Sequence, residues 1–183
     1  KALGIDQITS GYNEYEQKTA SVQTLMNSTG KSIDEINAYL QKLMWFSDET
    51  SYGFTDMTAS LAQMTAAGGD IEKLIPMIMS IANSTAFAGK GASEFSRAIY
   101  NLNQSYSGGF LNYIDWKSVD MAGASSKELK QTFIDTAIAL GTLSKEGRTA
   151  SGELVTIANF GQTLSEKWAT TEVMEQTFTK FAS

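Results

Sequence analysis

Cysteine and histidine are both absent from these 183 residues. Without a thiol or an imidazole there is no cysteine protease or amidase, no Ser-His-Asp hydrolase, no thiolate zinc site and no disulfide scaffold. Proline occurs once and valine four times, which favours helices over a many-stranded sandwich. Cations are in deficit: 14 Lys+Arg against 20 Asp+Glu give a formal charge of −6 and a pI near 4.7. An acidic chain is a poor candidate for wrapping nucleic acid or lying on an anionic membrane. Long apolar runs are missing too. The longest uncharged stretches, 74–89 and 98–114, are dotted with Asn, Ser, Thr and Gly. Neither supplies the ~20 mostly apolar residues of a membrane span. No basic segment runs into an apolar core as a signal peptide requires. The chain opens Lys1-Ala2-Leu3-Gly4 without an initiator methionine, and the expectation is a segment of a longer protein.

What is present fits one helical domain. The apolar share is 42% and the charged share 19%, a composition that can bury a core. Twenty serines and nineteen threonines offer many helix caps, because their hydroxyls accept the free amide hydrogens of a first turn. Ser32-Ile33-Asp34-Glu35 reads as a capping box, followed by an apolar face at Ile33, Ile36, Leu40 and Leu43. Ser125-Ser126-Lys127-Glu128 reads as a second, Ser125 with Glu128. Thr55 or Asp56, Asp70, Ser93 and Thr170 or Thr171 mark further starts. Gly68-Gly69 and Gly108-Gly109 mark stops. Pro76 either kinks its helix or opens a later one.

Gly147 and Gly152 sit between two short apolar stretches and predict a hairpin. The expected fold is mainly α: a compact multi-helix domain with a small antiparallel β element, a hairpin near 142–157. An arm over residues 1–30, helix or strand, precedes the helical domain at 31–183. The predicted core gathers Leu61, Ile78, Ile99, Leu102, Phe133 and Leu140. A faint repeat at an offset of 41 pairs Phe54 with Phe95, Leu61 with Leu102, Gln63 with Gln104 and Gly68 with Gly109. Two helix–turn units packed alike are the expectation, short of a solenoid.

Chemistry is sparse. Glu14 with Glu16, and Asp115 with Asp120 around Trp116, lack the local marks of a glycosidase pair. Gly89-Lys90-Gly91-Ala92-Ser93 fails the Walker spacing and reads as a helix–helix turn. Met57, Met64, Met77 and Met79 fall at helical spacing, which is core packing before it is a Met-rich binding face. Lys117, Lys127 and Lys130 read as surface lysines, so no nucleic-acid site is expected. The expectation is no enzyme, no catalytic residue, no metal, no cofactor and no small-molecule substrate. The candidate protein-contact residues are Phe110, Tyr113 and Trp116. Aromatic groups anchor interfaces because they bury large area at low entropic cost.

One resemblance is carried by segments in order. Trp45-Phe46-Ser47-Asp48-Glu49-Thr50-Ser51-Tyr52-Gly53-Phe54-Thr55-Asp56-Met57 comes first, then Ala82-Asn83-Ser84-Thr85-Ala86-Phe87-Ala88-Gly89-Lys90-Gly91. Ala98-Ile99-Tyr100-Asn101-Leu102-Asn103-Gln104-Ser105 with Gly108-Gly109 follows, and then Asp115-Trp116-Lys117-Ser118-Val119 with Ala122-Gly123. Lys127 to Gly141 and Asn159-Phe160 to Lys167-Trp168-Ala169 complete it. Together they resemble the conserved domain in the N-terminal part of phage tail tape measure proteins. The resemblance implies a structural role: helping to set tail length during assembly and leaving the tail tube during genome ejection. It implies tail assembly chaperones, the tail tube protein and other copies of the same chain as partners. It places the chain in the virion, in the tail tube lumen, and in the host bacterial cytoplasm during assembly. The glycine breaks imply a compact module on a rod-like chain, not the ruler itself. The other function class is a helical protein-binding or secreted toxin-like module with no catalytic activity.

Overall fold

The computed structural model describes residues 20–49 and 52–181. Residues 1–19 lie outside them, and with them Glu14, Glu16 and most of the expected N-terminal arm. The part of that arm that is described, residues 20–29, is helical and is called α1 here. Then follow α2 (Ile33–Glu49), α3 (Phe54–Ala66), α4 (Ile71–Phe87), α5 (Ala92–Gly108), α6 (Tyr113–Met121) and α7 (Lys127–Leu140). After a long loop come the short α8 (Phe160–Thr163), a 3-10 turn (Leu164–Glu166) and α9 (Thr171–Phe181).

The helices begin where hydroxyls and carboxylates can hold free amides. Ser32 and Glu35 form the expected box: the Ser32 amide donates to Glu35 Oε2 at 2.8 Å, and the Glu35 amide to Ser32 Oγ at 3.3 Å. Asp70 accepts from the Glu72 amide at 3.0 Å to start α4. Thr170 accepts from the Val173 amide at 3.3 Å to start α9. Three starts differ from expectation. Ser93 lies inside α5, whose N-cap is Gly91, and the Gly91 amide donates to Glu94 Oε2 at 3.2 Å. α7 is capped by Ser126, which accepts from the Leu129 amide at 3.0 Å, while Ser125 turns aside to Asp120. α3 follows Gly53 with no side-chain cap, and Asp56 instead accepts from Ser96 Oγ at 3.1 Å. Pro76 lies inside α4, as its sixth residue.

The hairpins α1–α2 and α3–α4 pack side by side, and α5 continues the row along α3. Ser28 meets Thr65 at the ends of α1 and α3. Tyr39 on α2 meets Glu72 on α4, and Tyr52 beyond α2 reaches the Lys90 carbonyl beyond α4. Asp56 meets Ser96 and Gln63 meets Asn103, so α3 and α5 run parallel. Gly68 (φ +100°) and Gly109 (φ +96°) close the α3 and α5 turns in the left-handed conformation, as expected of stop residues. The repeat therefore includes a third unit, around Gly30, that was not visible in the sequence.

α9 then packs along α4 and against α5 and α7. Lys73 pairs with Glu175 at 3.9 Å, and Tyr106 donates to the same carboxylate. Burial and that hydrogen bond hold the Tyr106 phenol above its usual pKa range. Leu61, Ile78, Ile99, Leu102 and Phe133 are all buried; Leu140 is only half-buried at the core edge. Met57, Met64 and Met77 are core residues.

The hairpin expected near 142–157 does not form. Among the described residues the β pairing is limited to two isolated antiparallel bridges, Arg148 with Leu154 and Phe110 with Thr170. The reason is local. Ser144 and Arg148 bond to one another, amide to carbonyl and amide to Oγ, so that arm curls instead of extending. Thr149 Oγ1 takes the Glu153 amide and so replaces a ladder bond with a side-chain bond. Side-chain hydroxyls compete with ladders in this way.

Candidate protein-contact surface

Asn112 fixes the direction of α6. Its Oδ1 accepts from the Asp115 amide at 2.8 Å, and its Nδ2 donates to Asp115 Oδ2 at 2.7 Å. Ser105 Oγ donates to the same carboxylate oxygen at 2.6 Å. Asp115 is thus buried with two donors on Oδ2, while Asp120 accepts from Ser125. Neither is placed as half of an acid–base pair. Among the described residues no three acidic side chains converge to hold a metal ion.

The cap turns Trp116 inward. Its ring is 4% exposed, 4.7 Å from Phe160 and 5.8 Å from Phe133. Phe178 and Trp168 extend the same cluster. A ring already buried has no free face for a partner, so of the three expected contact residues Trp116 is placed as a core residue. Phe110 is half-buried at its bridge to Thr170, with Lys167 Nζ 5.1 Å from its ring centroid. Tyr113 is 48% exposed, with Lys117 Nζ 5.9 Å from its ring centroid.

The outer face of α6 carries residues the sequence reading passed over. Ile114 is 75% exposed and Met121 54% exposed. They are seven residues apart and so lie on one helical face. Phe87, at the end of α4, is almost wholly exposed. Its neighbour Ala88 abuts Gly123, two residues past Met121.

A second feature is a groove of about 670 Å³ over α4. Tyr39 and Lys42 of α2 wall it on one side, and Phe181 at the end of α9 on the other. Ile75, Pro76 and Met79 form its floor. The Tyr39 hydroxyl donates to Glu72 Oε1 at 2.9 Å, which raises the Tyr39 pKa.

No helix among the described residues is long and apolar enough to cross a membrane. Neither a known protein family, nor a curated protein, nor a solved structure matches this chain.

Proposed function

We propose that the chain is a structural module of a bacteriophage or prophage tail tape measure protein. It acts through protein contacts and performs no turnover. Its partners are tail assembly chaperones, the tail tube protein and other copies of the same chain. The observation that carries this reading is the ordered resemblance from Trp45 to Ala169. Stacked hairpins with glycine turns are consistent with it, since a stack of short helices is a contact module and not a continuous rod. The contact surface on this reading is the outer face of α6, with Tyr113, Ile114 and Met121, and with Phe110 at its edge. Trp116 supports that face from beneath.

The test has two arms. Purified tails of the phage or induced prophage that encodes the chain are digested and analysed by mass spectrometry. Peptides of this chain should be present, and their absence from intact tails removes the tape measure assignment. Separately, Ile114→Ser with Met121→Ser is placed in the full-length protein and checked for unchanged circular dichroism. Tail yield by electron microscopy should drop about tenfold. Normal yield with normal infectivity removes the α6 face as a contact surface.

A further inference from the structure

The exposed face of α6 matches its own reverse. Its solvent-facing residues are Tyr113, Ile114, Lys117, Asp120 and Met121. They fall at i, i+1, i+4, i+7 and i+8, on one side of the helix. Apolar groups stand at both ends, Tyr113 and Ile114 at the first and Met121 at the second. The almost wholly exposed Phe87 belongs to the second end, where Ala88 abuts Gly123. One cation and one anion lie between, and Asp115, the remaining charge of α6, is buried. Read along the helix, the face is apolar, cationic, anionic, apolar. Among the described residues neither exposed charge is in an ion pair. Lys117 Nζ lies 5.9 Å from the Tyr113 ring centroid, and Asp120 accepts from Ser125 Oγ at 2.7 Å.

That order selects the occupant. A partner surface of one charge sign attracts one of the two charges and repels the other. A second copy of the chain, turned end for end, satisfies both. It brings its Asp120 opposite Lys117, its Lys117 opposite Asp120, and its Met121 beside Ile114. Lys90, next to Gly123 at the Met121 end, comes against Tyr113 and Ile114 of the other copy, which carry no charge.

We propose that α6 pairs with α6 of a second copy of this chain, antiparallel about a twofold axis near the helix midpoint. The inference builds on the reading of the α6 face as a contact surface and commits that face to one partner. It needs nothing from the tape measure assignment. The pairing is weak: α6 has nine residues, about 14 Å of helix, so the interface belongs to the class below about 1,200 Å². A Kd on the order of 100 µM is expected for such a pair.

The test is sedimentation equilibrium of the purified 183-residue chain, from about 10 µM to about 1 mM so as to bracket that Kd. The apparent mass should rise from 19.9 kDa toward twice that value. Lys117→Glu and Asp120→Lys, each checked for unchanged circular dichroism, should each weaken self-association about tenfold, because each sets like charges opposite one another. Mixing the two variants should restore it, since every cation then faces an anion across the pair. The double variant Lys117→Glu with Asp120→Lys should also pair like the original chain. If Asp120→Lys does not fold, the exposed Lys117→Glu still decides. A chain that stays monomeric, an association unmoved by Lys117→Glu, or a mixture no tighter than its components would overturn the proposal. The tail-yield measurement on Ile114→Ser with Met121→Ser would then still decide separately whether the α6 face contacts some other partner.

Discussion

Gly123 and Gly68 share a backbone conformation but not an environment, and that difference can be measured. Both have positive φ, +74° and +100°. Alanine at Gly68 would meet nothing within 4 Å, whereas at Gly123 its Cβ would lie 2.3 Å from the Ala88 Cβ. The left-handed conformation alone costs an L-residue roughly 1–2 kcal/mol. About 0.4–1 kcal/mol is recovered because alanine restricts the unfolded chain. Gly68→Ala should therefore destabilise by about 1 kcal/mol. Gly123→Ala adds an overlap well inside the ordinary ~3.5–4.0 Å carbon contact, and overpacking of this kind costs about 1–3 kcal/mol. Its total should be about 2–4 kcal/mol. With a urea dependence of roughly 2 kcal/mol/M, the midpoints should fall by about 0.5 M and about 1–2 M. Ala88→Gly in the Gly123→Ala background separates the two causes. It removes the overlapping methyl and leaves the strain, so a double-mutant cycle should return a coupling of about 1–3 kcal/mol. Equal midpoints for the two glycine variants, or a coupling near zero, would refute the contact between the α4 end and the α6–α7 turn.

Phe133→Ala removes the centre of the aromatic cluster, with rings of Trp116, Phe160 and Phe178 all within 6 Å. It should cost about 3–5 kcal/mol, read as a fall in the urea midpoint together with loss of the near-ultraviolet circular dichroism of Trp116 and Trp168. A negligible shift in both would place the cluster wrongly. Tyr106 should make stability fall at alkaline pH. Its folded pKa is raised, by burial first and by Glu175 second, so its contribution is complete below the unfolded value of about 10. It is lost as pH climbs through the higher folded value. Tyr106→Phe should flatten that fall in thermal melts above about pH 10. Identical slopes in the two proteins would exclude Tyr106 as a source.

Local signals were legible and distant ones were not. The Ser32–Glu35 box is encoded within four residues, and the structure contains it unchanged. The second start moved by one residue because two serines in succession can each cap, and Asp120 drew Ser125 away. The 142–157 loop has the glycines and alternation of a hairpin, but Ser144 and Thr149 satisfy backbone amides with their own hydroxyls. Trp116 was separable from Ile114 and Met121 only once α6 was known to be a helix. The groove could not be read at all. It is assembled from Tyr39, Pro76 and Phe181, which no periodicity connects, and its sole trace in the sequence was an isolated proline.

The stack explains why the repeat looked weaker than it is. α2 and α4 are each seventeen residues long, and they align at an offset of 38: Ile33 with Ile71, Ile36 with Leu74, Leu40 with Ile78 and Leu43 with Ile81. Ile36, Leu40 and Leu43 match Leu74, Ile78 and Ile81 in apolar character because each helix buries the same stripe. Among the positions that differ, Asn37 and Gln41 stand against Ile75 and Met79. On α4 those positions are buried or half-buried, while on α2 both are exposed. A stack of like units needs a polar outer face at its end to stay soluble. Apolar character is therefore lost at Asn37 and Gln41, where burial is lost. Ile and Leu exchange at the buried positions, so residue identity hides an apolar stripe that α2 shares with α4. Ile33 and Met44, at 52% and 38% exposed against a buried Ile71 and Ala82, mark how far that end is still apolar.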